Sequence, residues 1–167
     1  MNKKSFLTAS TLALAISTAT TAVYSAELEE IIVTAQKRAE SLQDVPISMS
    51  ALSGSTIKDN GIHSFQDLSG YVPNLEIAEN AVNTIITMRG IGIGSNQSFE
   101  QSVGIYVDGV HFGKSRQVRS GLFDVEQVEV LRGPQGILFG KNTLAGAINV
   151  TTASANVGDE FSGGIDV

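Results

Sequence analysis

From Val45 to Ala51 apolar and polar side chains alternate. Val45, Ile47, Met49 and Ala51 share one side and Ser48 and Ser50 the other, the period of a half-buried strand. Five further strand-like runs come later: LEIA (75–78), TIITMR (84–89), VGIYVD (103–108), QVEVLR (127–132) and AINVTT (147–152). A shorter β-branched run, IIVTA, lies ahead of them at 31–35. Asp108-Gly109, flanked by VGIYV and VHF, is a tight hairpin signal. Two short helices are predicted. One covers Ser55 to Asn60 and stops at Asn60-Gly61. The other starts at Ser64, with Asp67 three residues on as in a capping box, and ends by Gly70 ahead of Pro73. No heptad, long helical period or internal repeat is evident. The pattern predicts an α+β domain: a small mixed β-sheet with short helices and long glycine-rich loops.

The N-terminus reads differently. Lys3 and Lys4 precede an uncharged stretch from Phe6 to Val23 whose densest apolar part is LALAI, and small residues then give way to ELEE at 27–30. That order is a secretory signal peptide. Cleavage is expected after Ala26, with Ala22 and Ser25 as alternatives because Tyr24 sits awkwardly ahead of the cut. A membrane anchor would need about 20 mostly apolar residues, which the Ser/Thr content argues against. The expected division is 1–26 signal peptide, 27–43 linker carrying IIVTA, 44–155 main domain, and 156–167 a second linker.

The 167 residues suffice for one ordinary domain with a real core. With no cysteine, disulfides and cysteine-zinc sites are excluded. The formal charge of −6 argues against a nucleic-acid partner, whose contacts are mainly cationic. GVHFGKS (109–115) and GILFGKN (136–142) each have one residue too few between their glycines for a phosphate-binding P-loop. RGIGIGSN (89–96) has Ser95 where a dinucleotide fingerprint needs its third glycine. His63 and His111 lie far apart without metal spacing. No convergent chemical site emerges, so neither a cofactor nor an enzymatic activity is expected, and binding or gating is favoured.

EEIIVTAQKR (29–38), DVPIS from Asp44, ITMRGIG (86–92), VGIYVDGV (103–110) and VEQVEVLRGPQGILFGKNTLAGAINVTT (125–152) together resemble the plug domain of TonB-dependent outer-membrane receptors, siderophore receptors in particular. The similarity runs in order over roughly 29–152. It implies a plug that fills a large β-barrel in the cell outer membrane of a Gram-negative bacterium. Such a plug binds a scarce small molecule (a ferric siderophore, cobalamin or a sugar) at its outer face, and the periplasmic protein TonB opens it. A barrel of about 22 strands needs on the order of 200 residues for its strands alone. The chain is therefore expected to be the N-terminal part of a receptor, ending near the first barrel strand. The alternative is a stand-alone exported binding module without a pore.

The resemblance assigns roles to residues. Glu30, Ile31, Ile32, Val33, Thr34 and Ala35 become the TonB box, a free strand available to the edge of a partner's sheet. Arg89 and Arg132 end strands ahead of glycines and become the points that barrel glutamates grip, with Glu129 as an internal partner nearby. Ligand contacts are expected on three loops, at Asn80 and Asn83, at Asn96 and Gln97, and at Lys114 and Arg116 with Arg119 beside them.

Overall fold

The computed structural model describes residues 30–81, 83–92, 100–119 and 121–154. The expected signal peptide and the 156–167 linker lie outside them, as do Asn96 and Gln97. The centre is a five-stranded mixed sheet in the order β3-β9-β10-β7-β8. Its strands are β3 (Met49–Ser53), β7 (Val103–Val107), β8 (Val110–His111), β9 (Val125–Arg132) and β10 (Gly146–Thr152). β10 runs parallel to β7 and antiparallel to β9. A three-stranded antiparallel sheet joins β4 (Leu75–Glu79), β5 (Thr84–Met88) and β6 (Ile91–Gly92). A third, minimal sheet pairs β1 (Ile32–Val33) with β2 (Glu40–Ser41).

Alternation gives the central sheet two apolar faces. Val128, Val130, Ile148, Val150 and Ile105 point to one face and form the main core with Ile77, Ile86 and Met88 of the smaller sheet. Leu131, Ala147 and Tyr106 point to the other, where Ala35, Ile47, Met49 and Phe139 meet them. Ile47 and Met49, on the side that the alternation from Val45 marks as apolar, belong to the second face. The second is covered from outside the sheet, by the N-terminal segment and by the short helix α2 (Gly136–Phe139).

The turns are set by local chemistry. Asp108 and Gly109 take φ of 48° and 79° and close the β7–β8 hairpin, with Tyr106 opposite His111, as the sequence predicts. Helix α1 runs Gly54–Asp59, one residue earlier at each end than expected, because Ser53 caps it by accepting from the Thr56 amide at 3.3 Å. The Ser64–Asp67 box forms: Asp67 accepts from the Ser64 amide at 2.9 Å and from its hydroxyl at 2.8 Å. These bonds, led by the hydroxyl, hold the Asp67 carboxyl below its ordinary pKa. The box opens only a 3₁₀ turn, Asp67–Gly70, since Pro73 leaves no room for a longer helix.

Tyr106 donates its hydroxyl to the Phe139 carbonyl and so ties α2 to the second face. Burial pushes the phenol above its ordinary value of 10.0. The unfolded chain then ionises first. The tyrosine's contribution is complete below pH about 10 and is lost as pH rises through the folded value. Tyr106→Phe should cost about 1 kcal/mol at neutral pH, and the deficit should shrink above pH 10. Urea midpoints of both proteins across that range check this; a constant deficit would contradict it.

Candidate functional site

Three groups of residues singled out in the sequence are positioned by this architecture. The first is segment 31–35, which is docked rather than free. Val33 and Ala35 are 1% and 2% exposed, and Ala35 packs on the second face of the sheet. Ile32 and Thr34, alternating with them, are exposed. An apolar pair spaced two residues apart finds an uncovered apolar face, and burial decides the outcome. β2 pairs with one side of the segment, setting Ile32 opposite Ser41 and Val33 opposite Glu40. Glu30 stays exposed.

Glu129 belongs to this group, not to the arginines. Its side chain is fully buried. One carboxylate oxygen accepts from the Thr34 amide, and Asn149 donates to the other at 2.8 Å. The sequence places Glu129 three residues from Arg132, but in a strand odd-numbered separations point to opposite faces. Gln127, on the same side of β9 as Glu129, donates to the Ile32 carbonyl at 3.0 Å. Neither Gln127 nor Asn149 carried a signal in the sequence, because Gln127 meets a carbonyl 95 residues away and Asn149 meets Glu129 only across the β9–β10 pairing.

The second group is the arginine pair. Arg132 ends β9 and donates to Ser48 Oγ at 3.0 Å, Ser50 Oγ at 2.7 Å and Met49 O at 3.0 Å, clamping β3 to β9. Arg89 succeeds β5 in a two-residue turn with Gly90, with φ of 52° and 76°, and β6 returns with Ile91 opposite Met88. The Arg89 guanidinium comes within 3.7 Å of where a Cβ on Gly133 would stand, which brings it to the end of β9. Burial lowers the Arg132 pKa, and the Arg89 charge lowers it further. Arg38 pairs with Glu40 and Lys141 with Glu100, whereas among the described residues no carboxylate pairs with Arg89 or Arg132. Two strand ends 43 residues apart thus present like charges side by side, with no acid between them among the described residues.

The third group lies at the opposite end of β5. Asn80 Oδ1 accepts from the Asn83 amide at 2.7 Å, folding the 80–83 loop on itself, and Asn83 is buried. Arg119 reaches across from the 3₁₀ turn Ser115–Arg119, donating to Thr84 Oγ1 at 3.2 Å and to the Asn80 carbonyl. Two of the three expected ligand loops are therefore joined, by Arg119. Lys114 and Arg116 are exposed on the same turn. Among the described residues no group of three or more His, Asp or Glu could hold a metal. His63 is exposed, and His111 is half-buried with its ring 5.1 Å from that of Tyr106.

Residues 41–147 match the family model described as "TonB-dependent Receptor Plug Domain". The chain belongs to the TonB-dependent receptor plug domain family. The pesticin receptor of Yersinia pestis is 33% identical over 125 residues, which cover 73% of this chain and 18% of the receptor. The vitamin B12 transporter BtuB of Vibrio vulnificus is 29% identical over 131 residues, covering 76% of this chain and 21% of the transporter. Among solved structures, the ferric yersiniabactin uptake receptor FyuA from Yersinia pestis aligns with a TM-score of 0.58 at 36% identity, over 65% of this chain and 17% of that one. The plug chain thus spans about a fifth or less of these relatives. They are receptors and transporters by name, not enzymes. The small mixed sheet with short helices is the plug fold, as expected from the sequence.

Proposed function

We propose that this plug gates energy-dependent uptake through an outer-membrane β-barrel, that Arg89 and Arg132 hold it there, and that TonB opens it by pairing with segment 31–35. The arginine pair is the observation that carries this reading. Two adjacent guanidinium groups with no acid beside them among the described residues are costly beside an apolar wall unless carboxylates meet them from outside. Barrel glutamates supply that complement. Glycines 90 and 133, both at positive φ, let the backbone turn closely where the arginines leave the strands.

The ligand enters at the joined loops. Lys114, Arg116 and Arg119 gather positive charge in a chain of net charge −6, which suits an anionic small molecule. A ferric siderophore fits that charge, and pesticin and ferric yersiniabactin receptors are among the relatives. The leader at 1–26 directs export, and segment 31–35 faces the periplasm.

Thr34→Pro tests the reading, because proline there removes the Thr34 backbone donor and fixes φ. In the full-length receptor, TonB crosslinking at this segment and ligand accumulation should fall to background. Surface binding of ligand should stay within about twofold of wild type, since proline at 34 leaves the ligand loops untouched. Crosslinking that survives the substitution defeats the assignment of segment 31–35.

A further inference from the structure

Both hydrogen-bonding edges of segment 31–35 are occupied, by different kinds of group. On one edge the Leu42 amide donates to the Ile31 carbonyl at 2.9 Å, continuing the β1–β2 register. Antiparallel alternation then turns residues 31 and 33 toward β2 and residues 32 and 34 away. On the other edge no strand is present among the described residues. The Ile32 carbonyl accepts from the Gln127 side-chain amide at 3.0 Å, and the Thr34 amide donates to the Glu129 carboxylate. Gln127 and Glu129 stand two residues apart on β9 and project from one face. They supply one donor and one acceptor, in the order and spacing that a strand edge would offer.

We infer that Gln127 and Glu129 are a side-chain imitation of a strand edge, occupying the backbone groups that an incoming partner strand must take. The inference rests on the reading of segment 31–35 as the TonB-pairing segment. TonB and the Gln127–Glu129 pair then compete for Ile32 O and Thr34 N. The segment lies across the face of the five-stranded sheet and is not a member of it, so its exchange breaks no bond within that sheet. Glu129 makes the docked state specific. A buried carboxylate is tolerable only while its donors are in place, and here they are Thr34, whose hydroxyl lies 3.5 Å from the same oxygen as its amide, and Asn149. Losing the segment strips Glu129 of its Thr34 donors, which favours re-docking once the partner leaves.

The experiment uses the 167-residue chain and the C-terminal domain of TonB. Hydrogen exchange at the Thr34 amide and the dissociation constant for TonB are measured in wild type, Glu129→Ala and Gln127→Ala. Apparent affinity scales with the fraction of chains whose segment is exposed. Glu129→Ala should speed Thr34 exchange and tighten TonB binding by about tenfold each. Gln127→Ala, at a half-buried site, should shift both by about threefold in the same direction and decides the matter if Glu129→Ala does not fold. TonB binding that is no tighter in either variant overturns the competition while leaving the functional reading intact. Faster Thr34 exchange with no TonB binding to any of the three proteins overturns the functional reading instead. Bound TonB that exposes the Leu42 amide and leaves Thr34 protected means the partner displaces β2, and the inference is wrong.

Discussion

Gly146→Ala should destabilise the chain by about 3 kcal/mol or more. Gly146 opens β10, the middle strand of the five, and lies opposite Arg132 of β9 and Val103 of β7. An added Cβ would stand 2.2 Å from Met88 Sδ and 2.3 Å from the Leu131 carbonyl oxygen. The thioether can swing aside, but the carbonyl belongs to a paired strand and cannot move without disturbing the register. Met88 is itself fully buried and links the smaller sheet to the larger, so the methyl group pushes on both at once. Gly136→Ala is the control: nothing lies within 4 Å of its would-be Cβ, and alanine is the better helix former at the start of α2. Urea unfolding of the two variants should separate them widely. Equal midpoints would mean that the two sheets are more loosely joined than the packing at Met88 implies.

The two arginines should respond to substitution with opposite signs. Arg132→Ala removes three charge-assisted bonds, two to β3 and one to Ser48 just before it. Each is partly open to water, so the total loss is about 2 kcal/mol rather than the sum of fully buried values. Arg89→Gly removes a side chain from left-handed backbone, where non-glycine residues are strained by about 1–2 kcal/mol, and it also relieves the charge beside Arg132. Set against glycine's greater freedom when unfolded, the net effect is a gain of about 1 kcal/mol. In the assembled receptor both substitutions should loosen the plug if, as proposed, barrel carboxylates hold each charge. If Arg89→Gly weakens the isolated chain as much as Arg132→Ala does, Arg89 has an acid within the chain and the case for an external one fails.

Local chemistry made much of the fold legible. The Asp108-Gly109 turn, the Ser64–Asp67 box and the runs that became β4, β5, β7, β9 and β10 are set by neighbours in sequence, and they appear within a residue or two of expectation. The Arg89-Gly90 turn was not legible because arginine is a poor indicator of positive φ. The alternation from Val45 marked the apolar side correctly, but only its last part pairs as β3. The docking of segment 31–35 left no trace in the sequence at all. A two-residue strand carries almost no periodic signal, and the face it covers is made by residues about a hundred positions later. Glu129 stands close to Arg132 in sequence and so points to the arginines, whereas its side chain leaves the opposite side of β9. What the sequence could not say is that this side is also closed to water. At the candidate site the arginines could be named from sequence, but their adjacency depends on how β5 and β9 end beside each other.

The antiparallel pairing of β1 with β2 also fixes how the segment answers to force. Ile31 and Leu42 form the open end of that small hairpin, and the chain enters at Glu30. Tension drawn from the leading end therefore arrives at a single rung and peels the rungs in succession, the weakest loading geometry a ladder has. Had the two strands been parallel, the same tension would have sheared every rung at once.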